Sequence, residues 1–140
     1  HFHDVLNTPE RRARRHEALA DGAFGAELWP GLDVRKEDLI ICKTRYSAFI
    51  QGSSPLEWEL RKRGITAVWI GGTSTSTCCE STARDAMLLD FRTSMISDAN
   101  ADHNDAEHNA TLISFAINFG DVASTDDLIG RLRSAGATRS

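Results

Sequence analysis

No stretch of this 140-residue sequence is apolar for long enough to cross a bilayer as a helix. Nor does it open on the charged, apolar and small-residue order of a secretory signal, so a cytoplasmic protein without membrane contact is expected. Cysteine is scarce: Cys42, Cys78 and Cys79 are too few, and too close together, to form a disulfide framework. A reducing compartment fits them better. Positive charge is not in excess either. Sixteen Lys and Arg face twenty Asp and Glu, a net charge of −4, which gives no basic surface for nucleic acid. The run Arg11, Arg12, Arg14, Arg15 reads as a solvated helix face. Repeats and low-complexity tracts are absent. What remains is ordinary globular material, 41% hydrophobic and 26% charged, enough for one core. A single domain over 1–140 is expected.

Punctuation by the few prolines and glycines divides the chain. Residues 5–24 read as a loop and a short helix, and Pro30-Gly31 as a turn. The apolar run Asp38 to Lys43 reads as a buried strand that delivers Lys43 at its carboxyl end and turns Cys42 into the core. Residues 54–63 have a cap, a proline and leucines at helical spacing, and Gly64 stops them. Ile65 to Ile70 is the clearest strand, ended by Gly71-Gly72. A polar turn then leads to a helix over 78–90, with Thr77 and Glu80 spaced as a capping box. A strand at 93–97, a helix at 105–119, a short strand at 121–124 and a helix from 126, capped by Thr125, complete the pattern. Strands alternating with helices at this spacing imply an α/β fold with a parallel sheet. Such sheets bind ligands beyond the carboxyl ends of their strands, where Lys43 and the 72–78 turn both fall.

Two side chains there carry chemistry. A cysteine opening a helix after a glycine turn has its thiolate favoured by the helix N-terminus, and free N–H groups nearby can hold an oxyanion. Cys78 is so placed, although a small buried core residue is an equal reading of a cysteine. Lys43 either reaches solvent or, on the same rim, favours the thiolate and the negative charge of a transition state.

The residues around both resemble the motifs of the isochorismatase-like hydrolases. Gly72-Thr-Ser-Thr-Ser-Thr-Cys78-Cys-Glu-Ser-Thr-Ala-Arg-Asp85-Ala86 is similar to that family's nucleophile signature. Lys43-x-Arg45-Tyr46-Ser47-Ala48-Phe49 resembles its lysine motif, and Leu60-Arg-x-Arg-Gly64-Ile65 its helix-to-strand link. Ser97-Asp98-Ala99 and His108 match further landmarks, and the likeness runs from about Glu27 to Leu132. The resemblance implies a three-layer Rossmann-like parallel sheet with helices on both faces. It makes Cys78 the nucleophile and Lys43 the catalytic lysine. It places a cis peptide at Thr73–Ser74, with the N–H groups of Ser74 and Cys78 as the oxyanion hole. Arg45, Tyr46 and Phe49 become candidates for the substrate-binding entrance, Phe49 also being readable as core. A cysteine nucleophile points to cleavage of a linear amide or ureido C–N bond, with wording nearest the ureidoacrylate, biuret and carbamoyl hydrolases.

The family's third catalytic residue, an aspartate ending its first strand, has no counterpart here, and the sequence is expected to lack the first strands. Asp4, Asp85 and Asp98 do not occupy its position; Asp85 reads as a structural helix residue. A fragment of a longer protein, a strand supplied by another chain, and an inactive scaffold subunit each account for this. A vinyl-ether hydrolase of the isochorismatase type is the alternative activity. Some nicotinamidase-like relatives hold a metal through Asp-x-His and a further histidine. That arrangement is not intact, and His1, His3, His103 and His108 read as terminal or solvent-facing. Neither metal nor cofactor is expected. The expected partners are a small amide or ureido substrate and further copies of the chain, as a dimer or tetramer. A redox role for the Cys78–Cys79 pair is disfavoured, since adjacent cysteines bridge only under strain.

Overall fold

The computed structural model describes residues 7–137; His1, His3 and Asp4 lie outside the described residues. Internal contacts divide the chain into two units, 1–39 and 40–140. In the first, Thr8 accepts the Arg11 N–H at 3.3 Å and caps α1 (Pro9–Ala18). Pro9 fills the first helical position, where no N–H is needed. The arginines leave α1 with no buried side chain, as a solvated helix should be. A 3₁₀ turn at Phe24–Ala26 follows. None of the described residues of this unit is buried, and Phe24 and Trp29 are among its exposed aromatics.

The second unit holds the sheet. Strands β1 (Ala67–Thr73), β2 (Arg92–Ala101) and β3 (Asp121–Ala123) are all parallel and lie in chain order. Helix α2 (Leu56–Lys62) precedes β1, α3 (Glu80–Leu88) joins β1 to β2, α4 (Asp105–Asn118) joins β2 to β3, and α5 (Thr125–Ala137) ends the fold. Alternation decides which face is covered: Val68 and Ile70 on β1, and Thr93 and Met95 on β2, turn inward. Met95 packs with Ala83, Leu112, Phe115 and Cys79. A second cluster joins Phe49, Ala86 and Phe91, with Leu56, Leu60 and Val68 against it. Burying Met95 and Phe115 completely stabilises the fold by roughly 1.5–3 kcal/mol each. Gly120 is required after α4, because a Cβ there would lie 2.5 Å from the Thr93 carbonyl oxygen.

The pairing of β1 with β2 breaks beside the site. Ile70 is opposite Met95, yet Gly72 is opposite Asn100, so β2 bulges outward between them. Buried Asn100 repairs the gap: its side-chain amide donates to the carbonyls of Ile70 at 2.8 Å and Ile96 at 2.7 Å. Gly72 turns through φ +135°, a value that side-chain-bearing residues rarely adopt.

Several expectations are corrected. The 38–43 segment pairs with no strand among the described residues; Leu39 and Ile40 are exposed, and so is Cys42. An apolar run becomes a strand only where a neighbour offers both hydrogen bonds and a face to cover. β1 does not stop at Gly71-Gly72 but runs on to Thr73. Ser124, not Thr125, caps α5: its hydroxyl accepts the Asp127 N–H at 3.2 Å while Asp127 accepts the Ser124 N–H at 3.3 Å. No capping box forms at Thr77, and Glu80 instead pairs with Arg84 one turn on, at 2.6 Å. Among the described residues no helix is long and apolar enough to cross a membrane.

Candidate active site

The carboxyl end of β1 runs into a cis peptide at Thr73–Ser74, and the chain then enters a π turn, Thr75–Cys79, continuous with α3. The helical path therefore starts three residues before Cys78, which lies within its first turn rather than opening it. The Ser74 carbonyl accepts the N–H groups of Thr77 at 3.2 Å and Cys79 at 3.1 Å; the Cys78 N–H is not one of the two. Wide i→i+5 turns of this kind concentrate at functional sites.

The adjacent cysteines have opposite environments. Cys78 is half-buried. Cys79 is buried among Ala83, Met95, Leu112 and Phe115. Burial, then the neighbouring Cys78 and Asp102, push the Cys79 thiol up to about 11, while the Lys43 ammonium works the other way. A thiol so raised is inert at neutral pH. The Lys43 charge thus bears on Cys79. Lys43 itself is exposed, and its ammonium donates to the Arg45 carbonyl at 2.9 Å.

An open cleft of about 400 Å³ lies between this lysine segment and α3, bordered by Arg45, Tyr46, Ile50, Ser81, Arg84 and Asp85. That is the size range of small-ligand sites. Ser81 and Asp85, three and seven residues after Cys78, line the cleft from α3; Cys78 and Lys43 are not among the residues that border it. Arg45 and Tyr46 thus border a cleft. Phe49 does not: it is buried against Phe91, with ring centroids 5.4 Å apart, and belongs to the core. Thr82 ties the two walls together. Its hydroxyl donates to the Cys78 carbonyl at 2.7 Å and accepts the Ala48 N–H at 3.2 Å.

Comparison with known proteins gives this arrangement its context. Residues 2–127 match the isochorismatase domain. The chain belongs to the isochorismatase family. It is 33% identical over 114 residues to nicotinamidase 3 of Arabidopsis thaliana, covering 80% of this chain and 57% of that one. To the ureidoacrylate amidohydrolase RutB of Variovorax paradoxus (strain S110) it is 35% identical over 112 residues, covering 79% and 44%. The chain therefore spans about half the length of these curated relatives. A cysteine hydrolase from Pseudomonas syringae pv. phaseolicola 1448A superposes with a TM-score of 0.80 at 29% identity, covering 94% of this chain and 68% of that one. The isochorismatase-like α/β fold expected from the sequence is thus confirmed.

Two further side chains hold the turn. Asp102 accepts the Ser76 N–H at 2.6 Å, and His108, half-buried rather than solvent-facing, bonds the Thr75 hydroxyl through Nδ1 at 2.9 Å. No periodic pattern announces contacts across 26 and 33 residues. Asp85, read as structural, borders the cleft. Among the described residues no carboxylate is hydrogen-bonded to Cys78, and no three His, Cys, Asp or Glu side chains come together as a metal-binding group.

Proposed function

We propose that the protein is a cysteine hydrolase of linear amide or ureido C–N bonds. The observation that carries this reading is the half-buried Cys78 within the π turn at the carboxyl end of β1, with the Lys43 charge bearing on the adjacent Cys79. Relatives named for nicotinamide and ureidoacrylate hydrolysis support the bond class.

In this reading the Cys78 sulfur attacks the carbonyl carbon, and its proton passes to the carboxylate that the family resemblance assigns to the first strand. The carbonyl oxygen takes the negative charge and lies against the N–H groups of Ser74 and Cys78, with Lys43 adding positive charge. As the C–N bond breaks, the nitrogen takes the proton and leaves as ammonia or an amine. Water then attacks the thioester, giving the acid (or a carbamate from a urea) and restoring the thiol. Arg45 and Tyr46, at the cleft edge, orient the substrate.

The test is ammonia release by the full-length protein from nicotinamide and from ureidoacrylate. Cys78→Ala should lower the rate by at least about 10³, the scale of a lost covalent step. Full turnover by that variant sinks the reading.

A further inference from the structure

The nucleophile turn does not specify its own shape. Ser74, Thr75, Ser76 and Thr77 are four short hydroxyl residues in succession, and such side chains compete with the backbone for hydrogen bonds instead of favouring a helix. A π turn is also rarer than an α turn. Something outside the turn must select it.

Two side chains, one just after β2 and one on the first turn of α4, meet that need. Asp102, just after β2, accepts the Ser76 backbone N–H through one carboxylate oxygen at 2.6 Å and the His103 N–H through the other at 2.8 Å. Its carboxylate is thereby fixed from behind while it grips the turn. Partial burial works against the charged form, yet hydrogen bonds from the Ser76 side chain and backbone and from His103 outweigh it and hold the Asp102 carboxyl below the usual range. One residue earlier in the turn, Thr75 is fully buried, and its hydroxyl meets His108 Nδ1 at 2.9 Å. His108 is carried on the first turn of α4, which is itself anchored by Asn104 accepting the Glu107 N–H at 2.9 Å. The two contacts fall on consecutive residues, between the cis peptide and Cys78.

We infer that Asp102 and His108 form a two-point latch that holds the Ser74–Cys78 turn in its catalytic conformation, so that both are positioning residues for the Cys78 reaction. The latch rests on the hydrolase reading only for its kinetic consequence; its grip on the turn is independent of that reading. Neither side chain is hydrogen-bonded to Cys78. Their effect is to aim the backbone N–H groups that receive the oxyanion, an interaction strengthened only in the transition state.

The experiment is carried out on the full-length protein. Amide hydrogen exchange is followed at Ser76, and ammonia release from nicotinamide and ureidoacrylate is followed in parallel. Asp102→Ala should speed exchange of the Ser76 amide at least about ten-fold and lower kcat by a similar factor at unchanged KM. Asp102→Asn, which keeps an acceptor oxygen, should recover most of both. Thr75→Val and His108→Ala should each lower kcat, and the double variant should be no worse than the more severe single one, since both remove the same contact. Unchanged Ser76 exchange in Asp102→Ala overturns the latch, and so does faster exchange with full kcat. If neither substrate is turned over even by the wild type, or Cys78→Ala remains active, it is the hydrolase reading that fails. The exchange result then decides the latch by itself.

Discussion

The two walls of the candidate site are held in place very differently. The nucleophile wall is fixed from several directions: Thr75 and Cys79 are buried, Asp102 and His108 grip the turn, and Asn100 closes the bulge beneath it. The lysine wall is held mainly within its own loop, where the Thr44 N–H donates to the Ser53 carbonyl at 3.1 Å and its hydroxyl to the Gly52 carbonyl at 3.2 Å. There the Ser53 hydroxyl donates to the Ser47 carbonyl at 2.6 Å, Ser47 accepts the Phe49 N–H at 3.1 Å, and Phe49 packs against Phe91. From Asp38 to Lys43 the chain has no sheet partner among the described residues. The nucleophile's geometry is thus written into contacts within this chain. The lysine's loop is tied to the nucleophile wall through Thr82, whose side chain hydrogen-bonds both walls.

The sharpest expression of that difference is thiol reactivity. With its thiol at about 11, Cys79 holds roughly one thiolate per thousand molecules at pH 8. Iodoacetamide at that pH should therefore label half-buried Cys78 and exposed Cys42 and spare Cys79 by about 10² relative to an ordinary thiol, as read from peptide masses. Equal labelling of the neighbouring pair would mean that the turn is not held as described.

Next in size is Lys43→Met. The side chain is exposed and its ammonium hydrogen-bonds within its own loop, so thermal stability should stay within about 0.5 kcal/mol. The rate should nevertheless fall by about 10²–10³, the scale of a lost electrostatic stabiliser. A variant that loses stability instead, with its rate intact, would make Lys43 a structural residue and the walls alike.

Why one wall was readable and the other was not follows from what holds each. The strand at Ala67–Thr73 announces itself through Val68 and Ile70, and α3 through Ala83 and Ala86, because their periodic faces are buried within the chain. Asp38 to Lys43 has the same apolar wording, yet no strand among the described residues pairs with it, so composition alone misassigned both the strand and Cys42. Asn100 and Asp102 were invisible for another reason. They act on Ile70 and Ser76 from 30 and 26 residues away, and a side chain that mends a bulge or grips a turn leaves no local pattern. The positions of Cys78 and of the cis peptide were legible only because a motif, not a periodicity, carried them.

Thr82→Val separates the walls directly. Valine keeps the shape but leaves the Ala48 N–H and the Cys78 carbonyl without that hydroxyl, a loss of about 1–3 kcal/mol for partly buried groups. Catalysis should fall roughly ten-fold as the cleft loosens, with KM rising along with it because Arg45 and Tyr46 sit on the wall set free. Unaltered KM would mean that Ser47, Ser53 and Phe49 suffice to place the lysine wall.

The smallest effect is expected on the β2 bulge that underlies the nucleophile wall. Asp98 lies in that bulge and accepts the Thr125 N–H at 2.8 Å and its hydroxyl at 2.9 Å, which joins the bulge to the start of α5. The backbone hydrogen bond first, and the hydroxyl second, hold its carboxyl below the ordinary value. A carboxylate depressed in the folded state contributes stability that is complete above its unfolded value of about 3.9 and disappears as pH falls through the lower folded value. Asp98→Asn should therefore lower Tm slightly at pH 7, with the gap to the wild type closing below about pH 4. Because Asp98 is exposed, salt should shrink the difference further. A gap that persists undiminished at acid pH would mean that the side chain braces the bulge by shape alone, and the nucleophile wall would then owe nothing to charge at that point.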